Sequence, residues 1–216
     1  MTWTARTIIT LLTTLLTTAA AGGFLTADNA EAAPAPAPQV EAVSTLGEIA
    51  ELTTAQSDLV ASSFERFTQA GLAAPTDVVP SFHDSIDACN GNLGLSTIED
   101  GIQRVRICWS HENPGVEIRL QEQALVHELA HAWADLNVDE PLRNAFVEFT
   151  GAASWNLAVD GWNDRGTERA ADLITWALLD PAALFVDFEG ASCHQWSAAY
   201  ELITGESAPS TLTDAC

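Results

Sequence analysis

The stretch Val126-His127-Glu128-Leu129-Ala130-His131-Ala132-Trp133 decides how this chain is understood. Leu125, Leu129, Trp133 and Leu136 recur at helical period, which predicts a helix from about Gln121 to Leu136 with these four as its core stripe. Residues four apart on a helix lie one turn apart on one face, so His127 and His131 can grip the same ion. Neutral imidazole nitrogens suit zinc, and a helix fixes both at low entropic cost. Glu128 projects about 100° round the helix from His127, which suits a carboxylate that faces a water beside the ion. With five histidines in the chain, the H-E-x-x-H pattern arises by chance on the order of once in a hundred such sequences. The competing interpretation is an amphipathic helix with two solvated histidines, and the apolar stripe of a long helix following a strand argues against it.

A catalytic zinc takes three protein ligands and leaves a fourth position open. Downstream, Glu168-Arg169-Ala170-Ala171-Asp172 opens a further helix, expected over Thr167–Leu179 and stopped by Asp180-Pro181. Glu168 is the candidate third ligand. Asp172, one turn on and on the same face, has the spacing to hydrogen-bond a ligand histidine from behind. Two alternatives stay open: Glu168 as an acid favoured by the helix dipole, and Asp172 as the ligand in its place.

On these residues the sequence resembles the gluzincin branch of zinc metallopeptidases, of which thermolysin is the best-known member. The family's HExxH falls on His127, Glu128 and His131, and its downstream ExxxD on Glu168 and Asp172. The runs HELAHAW and ERAADLITWALLDP are similar to small secreted actinobacterial metallopeptidase-like proteins. The likeness covers roughly residues 75–180 and is specific at the two helices. The 36 residues between His131 and Glu168 are more than thermolysin has. The metzincin continuation is absent, since Ala134 and Asn137 stand where that branch has Gly and His or Asp, and the single methionine is Met1.

The resemblance implies a zincin-like domain that binds Zn²⁺ through His127, His131 and Glu168, with Asp172 orienting His127. It implies Glu128 as the general base of peptide hydrolysis and a peptide or protein substrate. The substrate would pair with an edge strand, for which Val116–Leu120 is the candidate. A transition-state donor from a later segment is also implied, with Tyr200 and His194 as candidates. The alternative is a secreted, zinc-stabilised binding module without activity.

Outward from the motif, Thr53 and Gln56 have capping-box spacing, and Leu59, Val60, Ser63, Phe64, Phe67 and Ala70 trace one helical face up to Gly71. Short strands are expected around Val78–Phe82, over Val105–Trp109, and over Val116–Leu120 after the turn Asn113-Pro114-Gly115. Asn90-Gly91-Asn92 and Gly94 signal a loop. Helices are expected over Pro141–Phe149 and about Gln195–Thr204. Helix, small sheet, then helices is an α+β order, here with a mostly antiparallel sheet against the motif helix and a helical C-terminal half. His83 and His111 look like isolated loop residues, and the tryptophans like packing between helices.

The whole chain has 216 residues, 47% of them hydrophobic, enough for one domain with a substantial core. Thirty acidic residues oppose eight basic ones, all arginine, for a formal charge of −22. Such a chain repels phosphate backbones and anionic membranes, so nucleic acid is excluded as a partner. Residues 1–32 have the form of a signal peptide: Arg6, an apolar stretch Ile8–Leu25, and the small-x-small site Ala30-Glu31-Ala32. Cleavage gives a secreted protein with no membrane insertion, and retention would leave a membrane anchor. Residues 33–52 form an Ala/Pro spacer and arm, leaving 53–216 as the domain. Four cysteines in an exported chain imply disulfides, expected as Cys89–Cys108 and Cys193–Cys216, the pairing that closes the shorter loops.

Overall fold

The capping box at Thr53 forms as its residues predict. The Gln56 backbone N–H donates to the Thr53 hydroxyl at 3.3 Å, and the Gln56 side chain accepts from the Thr53 N–H at 2.9 Å. It starts helix α1 (Thr54–Gln69), which ends as Gly71 turns into the left-handed region at φ +80°. The computed structural model describes residues 52–108, 114–157, 160–179 and 192–210, without the side chains of 114–119 and 193. The leader, nearly all of the spacer, Trp109, His111, the helix stop at Asp180-Pro181 and the Cys193–Cys216 pairing lie outside them.

After α1 come strands β1 (Val78–His83), β2 (Gly94–Glu99) and β3 (Ile102–Cys108), then helices α2 (Pro114–Asn137), α3 (Glu140–Thr150), α4 (Gly166–Leu178) and α5 (Cys193–Thr204). The fold is α+β. Its sheet has the order β1-β3-β2, with β1 parallel and β2 antiparallel to β3. It is therefore mixed, and the expectation of a mostly antiparallel sheet is corrected. Asp100 and Gly101 make the two-residue β2–β3 turn, both at positive φ (53° and 78°), the twist that a tight hairpin needs. β3, paired on both sides, buries Gln103, Val105, Ile107 and Cys108. The Cys89–Cys108 disulfide forms as expected and ties a short 3-10 turn, Ile86–Cys89, to the end of β3.

Two further expectations are corrected. Val116–Leu120 is the start of α2 and not a strand. Pro114, taken for a turn residue, occupies the first helical position, where a missing N–H costs nothing. Leu136 is 58% exposed and not in the core. The motif helix instead buries a broad arc of Leu125, Val126, Leu129, Ala130, Ala132, Trp133 and Ala134, because it packs against the sheet on one side and α4 on another.

Candidate metal centre and cleft

The H-E-x-x-H segment lies near the middle of α2, among the buried Val126, Leu129 and Ala130. Glu168 and Asp172 come from α4, whose start is drawn close to its neighbours. Gly166 donates its N–H to Ser154 O at 2.7 Å, and a Cβ there would stand 2.9 Å from Val147 Cγ2. Arg169 fastens the same turn by donating from Nε to Asn163 O at 2.9 Å and from Nη1 to Thr150 O. Arg66 links α1 across the other end, through Glu122 of α2 at 2.7 Å and Leu178 O of α4 at 3.2 Å.

Three donors meet between α2 and α4. His131 Nε2 lies 3.1 Å from His127 Nε2 and 3.1 Å from Glu168 Oε2, and His127 Nε2 lies 3.3 Å from the same oxygen. The other nitrogen of each ring is engaged from behind. His127 Nδ1–H donates to Asp172 Oδ1 at 2.9 Å, and His131 Nδ1 lies 3.1 Å from Thr167 Oγ1. The carboxylate accepts only, which selects the His127 tautomer with its Nε2 lone pair facing inward, and the Thr167 hydroxyl can accept from His131 in the same way. His127, His131 and Glu168 together could hold a metal ion.

The electrostatics of the cluster fit a cation. Burial lowers the His127 pKa, but hydrogen bonds to Asp172 and Glu168 and the charges of Asp172 and Glu128 outweigh it and raise the value from 6.5 to about 10. Burial pushes Glu168 up, yet its hydrogen bonds to His127 and His131 and their charges bring it from 4.5 to about 2. Without an ion, the nest of carboxylates retains a proton on imidazole as its positive charge.

Glu128 is 5% exposed. Burial raises its carboxyl pKa, against the pull of the His127 and His131 charges, with Glu168 adding to the rise and the backbone N–H of Ser96 opposing it. Its side chain rests on β2 at Gly94. Beside it opens a cleft of about 270 Å³, lined by Leu93, Leu120, Ala124 and Trp162 together with His127, Glu128 and Asp172. Trp162, expected as packing, is 47% exposed on this cleft, with the Arg165 guanidinium 6.0 Å from its ring centre.

Thus the structure brings together His127, Glu128, His131, Glu168 and Asp172. It does not bring Tyr200 and His194 to them. Tyr200 is fully buried in the core, where burial lifts its hydroxyl to about 12, and His194 is exposed in the first turn of α5. Neither lines the cleft. Thr167, Gly94, Ser96 and Trp162 were missed. The Asp100-Gly101 turn could have revealed β2 and with it two of these, but no sequence pattern marks Thr167 or Trp162. Compared with protein-family models, curated proteins and solved structures, the chain matches none of them.

Proposed function

We propose that this chain is a secreted zinc-dependent metallopeptidase of zincin-like fold. The observation that carries the reading is the donor triangle. On four-coordinate zinc with bonds of 2.0–2.1 Å, neighbouring ligand atoms stand about 3.3 Å apart, and the triangle's edges are 3.1, 3.1 and 3.3 Å. Two imidazoles and one carboxylate are also the donor chemistry of a catalytic rather than a structural zinc. When bound, zinc would polarise the scissile carbonyl and lower the pKa of water toward ~7.

The remaining roles belong to the chain. His127, His131 and Glu168 hold the ion, and Asp172 and Thr167 keep the two rings turned toward it. Glu128 takes a proton from a cleft water as that water attacks the carbonyl, and delivers it to the leaving amine. The free edge of β2, beside Glu128, replaces Val116–Leu120 as the strand on which an extended peptide would pair. Cleavage of the leader expected over residues 1–32 would put the reaction outside the cell.

A second reading, the inactive zinc-stabilised binding module, draws support from Tyr200 and His194 lying away from the cleft. The open cleft and the buried Glu128 beside it favour the enzyme.

The test compares wild type and Glu128→Gln, each loaded with zinc, on a peptide library with and without chelator. About one zinc per chain is expected in both. Turnover should be abolished by chelator and reduced at least ~10²-fold by the substitution, the low end for a positioned general base. Equal turnover in the two proteins would remove Glu128 from the mechanism. Stoichiometric zinc without any turnover would favour the binding module.

A further inference from the structure

We propose that the edge strand β2 is the positioning device for Glu128, acting through the missing side chain of Gly94. This deepens the reading of Glu128 as the base and rests on it. A Cβ built on Gly94 would lie 2.5 Å from Glu128 Oε1 and 2.6 Å from Cγ. No real contact is that short, so the carboxylate occupies space that exists only because residue 94 has no side chain. Gly94 is in a β-strand without positive φ. Backbone freedom therefore does not account for glycine here, whereas close approach of a neighbouring group does.

The ladder holds that strand in place. Cys108 donates its N–H to Leu93 O at 2.8 Å, and bonding alternates along an antiparallel pair. Leu95 and Thr97 therefore bond to β3, while the backbone groups of Gly94 and Ser96 face the free edge. The Cys89–Cys108 disulfide and the Leu93–Cys108 bond hold the start of β2. The carboxylate thus rests against a fixed strand instead of choosing among rotamers in the cleft. A base held in one place keeps its reach to the attacking water, and small displacements at a reacting centre are costly.

One substitution tests the contact. Gly94→Ala puts a methyl where the carboxylate lies. The Glu128 side chain must move from Cγ outward, but the methyl's nearest contacts are all side-chain atoms, so the fold should survive. The substitution should leave zinc stoichiometry unchanged and metal affinity within about threefold, since His127, His131 and Glu168 are untouched. Turnover should fall at least ~10-fold, in kcat rather than KM.

The decisive measurement does not depend on activity. Gly94→Ala should lower the Tm of the zinc-loaded protein by several degrees, and the same change in a Glu128→Ala background should lower it by much less, because the obstructing side chain is gone. An equal loss in both backgrounds, or none in either, would overturn the contact and the proposal with it. Coupled Tm values in a protein that hydrolyses no peptide would keep the β2–Glu128 device and remove only the peptidase reading.

Discussion

At the scale of single residues, the site is a set of side chains each fixed by a neighbour. Asp172 and Thr167 never face the ion position, yet they decide which nitrogen of each ring does. Without the Asp172 acceptor, His127 can turn over or take the other tautomer, and the inward lone pair is lost for part of the time. Asp172→Asn, which keeps the shape but removes the charge, is therefore expected to weaken metal binding by 10–100-fold, the usual effect of such an outer partner. Thr167→Val, nearly isosteric, should weaken it less, because a neutral acceptor is replaced. Competition against a chelator of known affinity measures both. If Asp172→Asn holds the metal as tightly as wild type while Glu168→Gln does not, the orienting role assigned to Asp172 is wrong.

At the scale of elements, what could be read from the sequence was what repeats at a fixed local spacing. His127 and His131, and Glu168 and Asp172, are both four apart on amphipathic helices, so their faces could be named before any contact was known. β2 was hidden because Gly94-Leu95-Ser96-Thr97-Ile98-Glu99 has little β-branched apolar content, although Asp100-Gly101 marked its turn. Val116–Leu120 was mistaken for a strand because the apolar residues Val116, Ile118 and Leu120 alternate with charged Glu117 and Arg119, and only the continuation into α2 makes the segment helical. Thr167 and Gly94 were invisible for another reason: each matters only through a residue far along the chain. The start of α4 gives an element-scale test. A Cβ at Gly166 would meet Val147 Cγ2 at 2.9 Å, Trp155 Cε3 at 3.2 Å and Ser154 O at 3.3 Å. Gly166→Ala must therefore push α4 away from α3, at a cost of about 1–3 kcal/mol that outweighs alanine's better helix propensity. The expected result is a Tm several degrees lower, with metal affinity reduced as well, because Glu168 sits two residues on. An unchanged Tm would mean that α4 can yield there freely.

At the scale of the whole molecule, the buried cluster lies between α2 and α4, so its protonation and its metal load are read in global stability. The signs follow from the three shifted groups of the cluster, His127, Glu168 and Glu128, in the metal-free chain. The His127 pKa rises from 6.5 to about 10 on folding, so its contribution is complete below pH 6.5 and is lost as the pH climbs through 10. The Glu168 pKa falls from 4.5 to about 2, so its contribution is complete above pH 4.5 and is lost as the pH drops through 2. His127 and Glu168 therefore stabilise the metal-free fold most between about pH 4.5 and 6.5, while Glu128, raised by burial, works against it as the pH climbs above 4.5. A bound divalent ion replaces that proton as the positive charge, and binding to neutral imidazole must then release it. A chain of formal charge −22 also favours the cation at long range. Thermal unfolding across pH 5–10 should accordingly show the chelated protein losing stability above pH 6.5 while the zinc-loaded protein does not, so that the gap between them widens with pH. Titration with zinc at pH 8 in buffers of different ionisation enthalpy should show about one proton released per ion. Parallel curves for the two forms, or zinc uptake without proton release, would mean that the ion does not enter the His127–His131–Glu168 cluster.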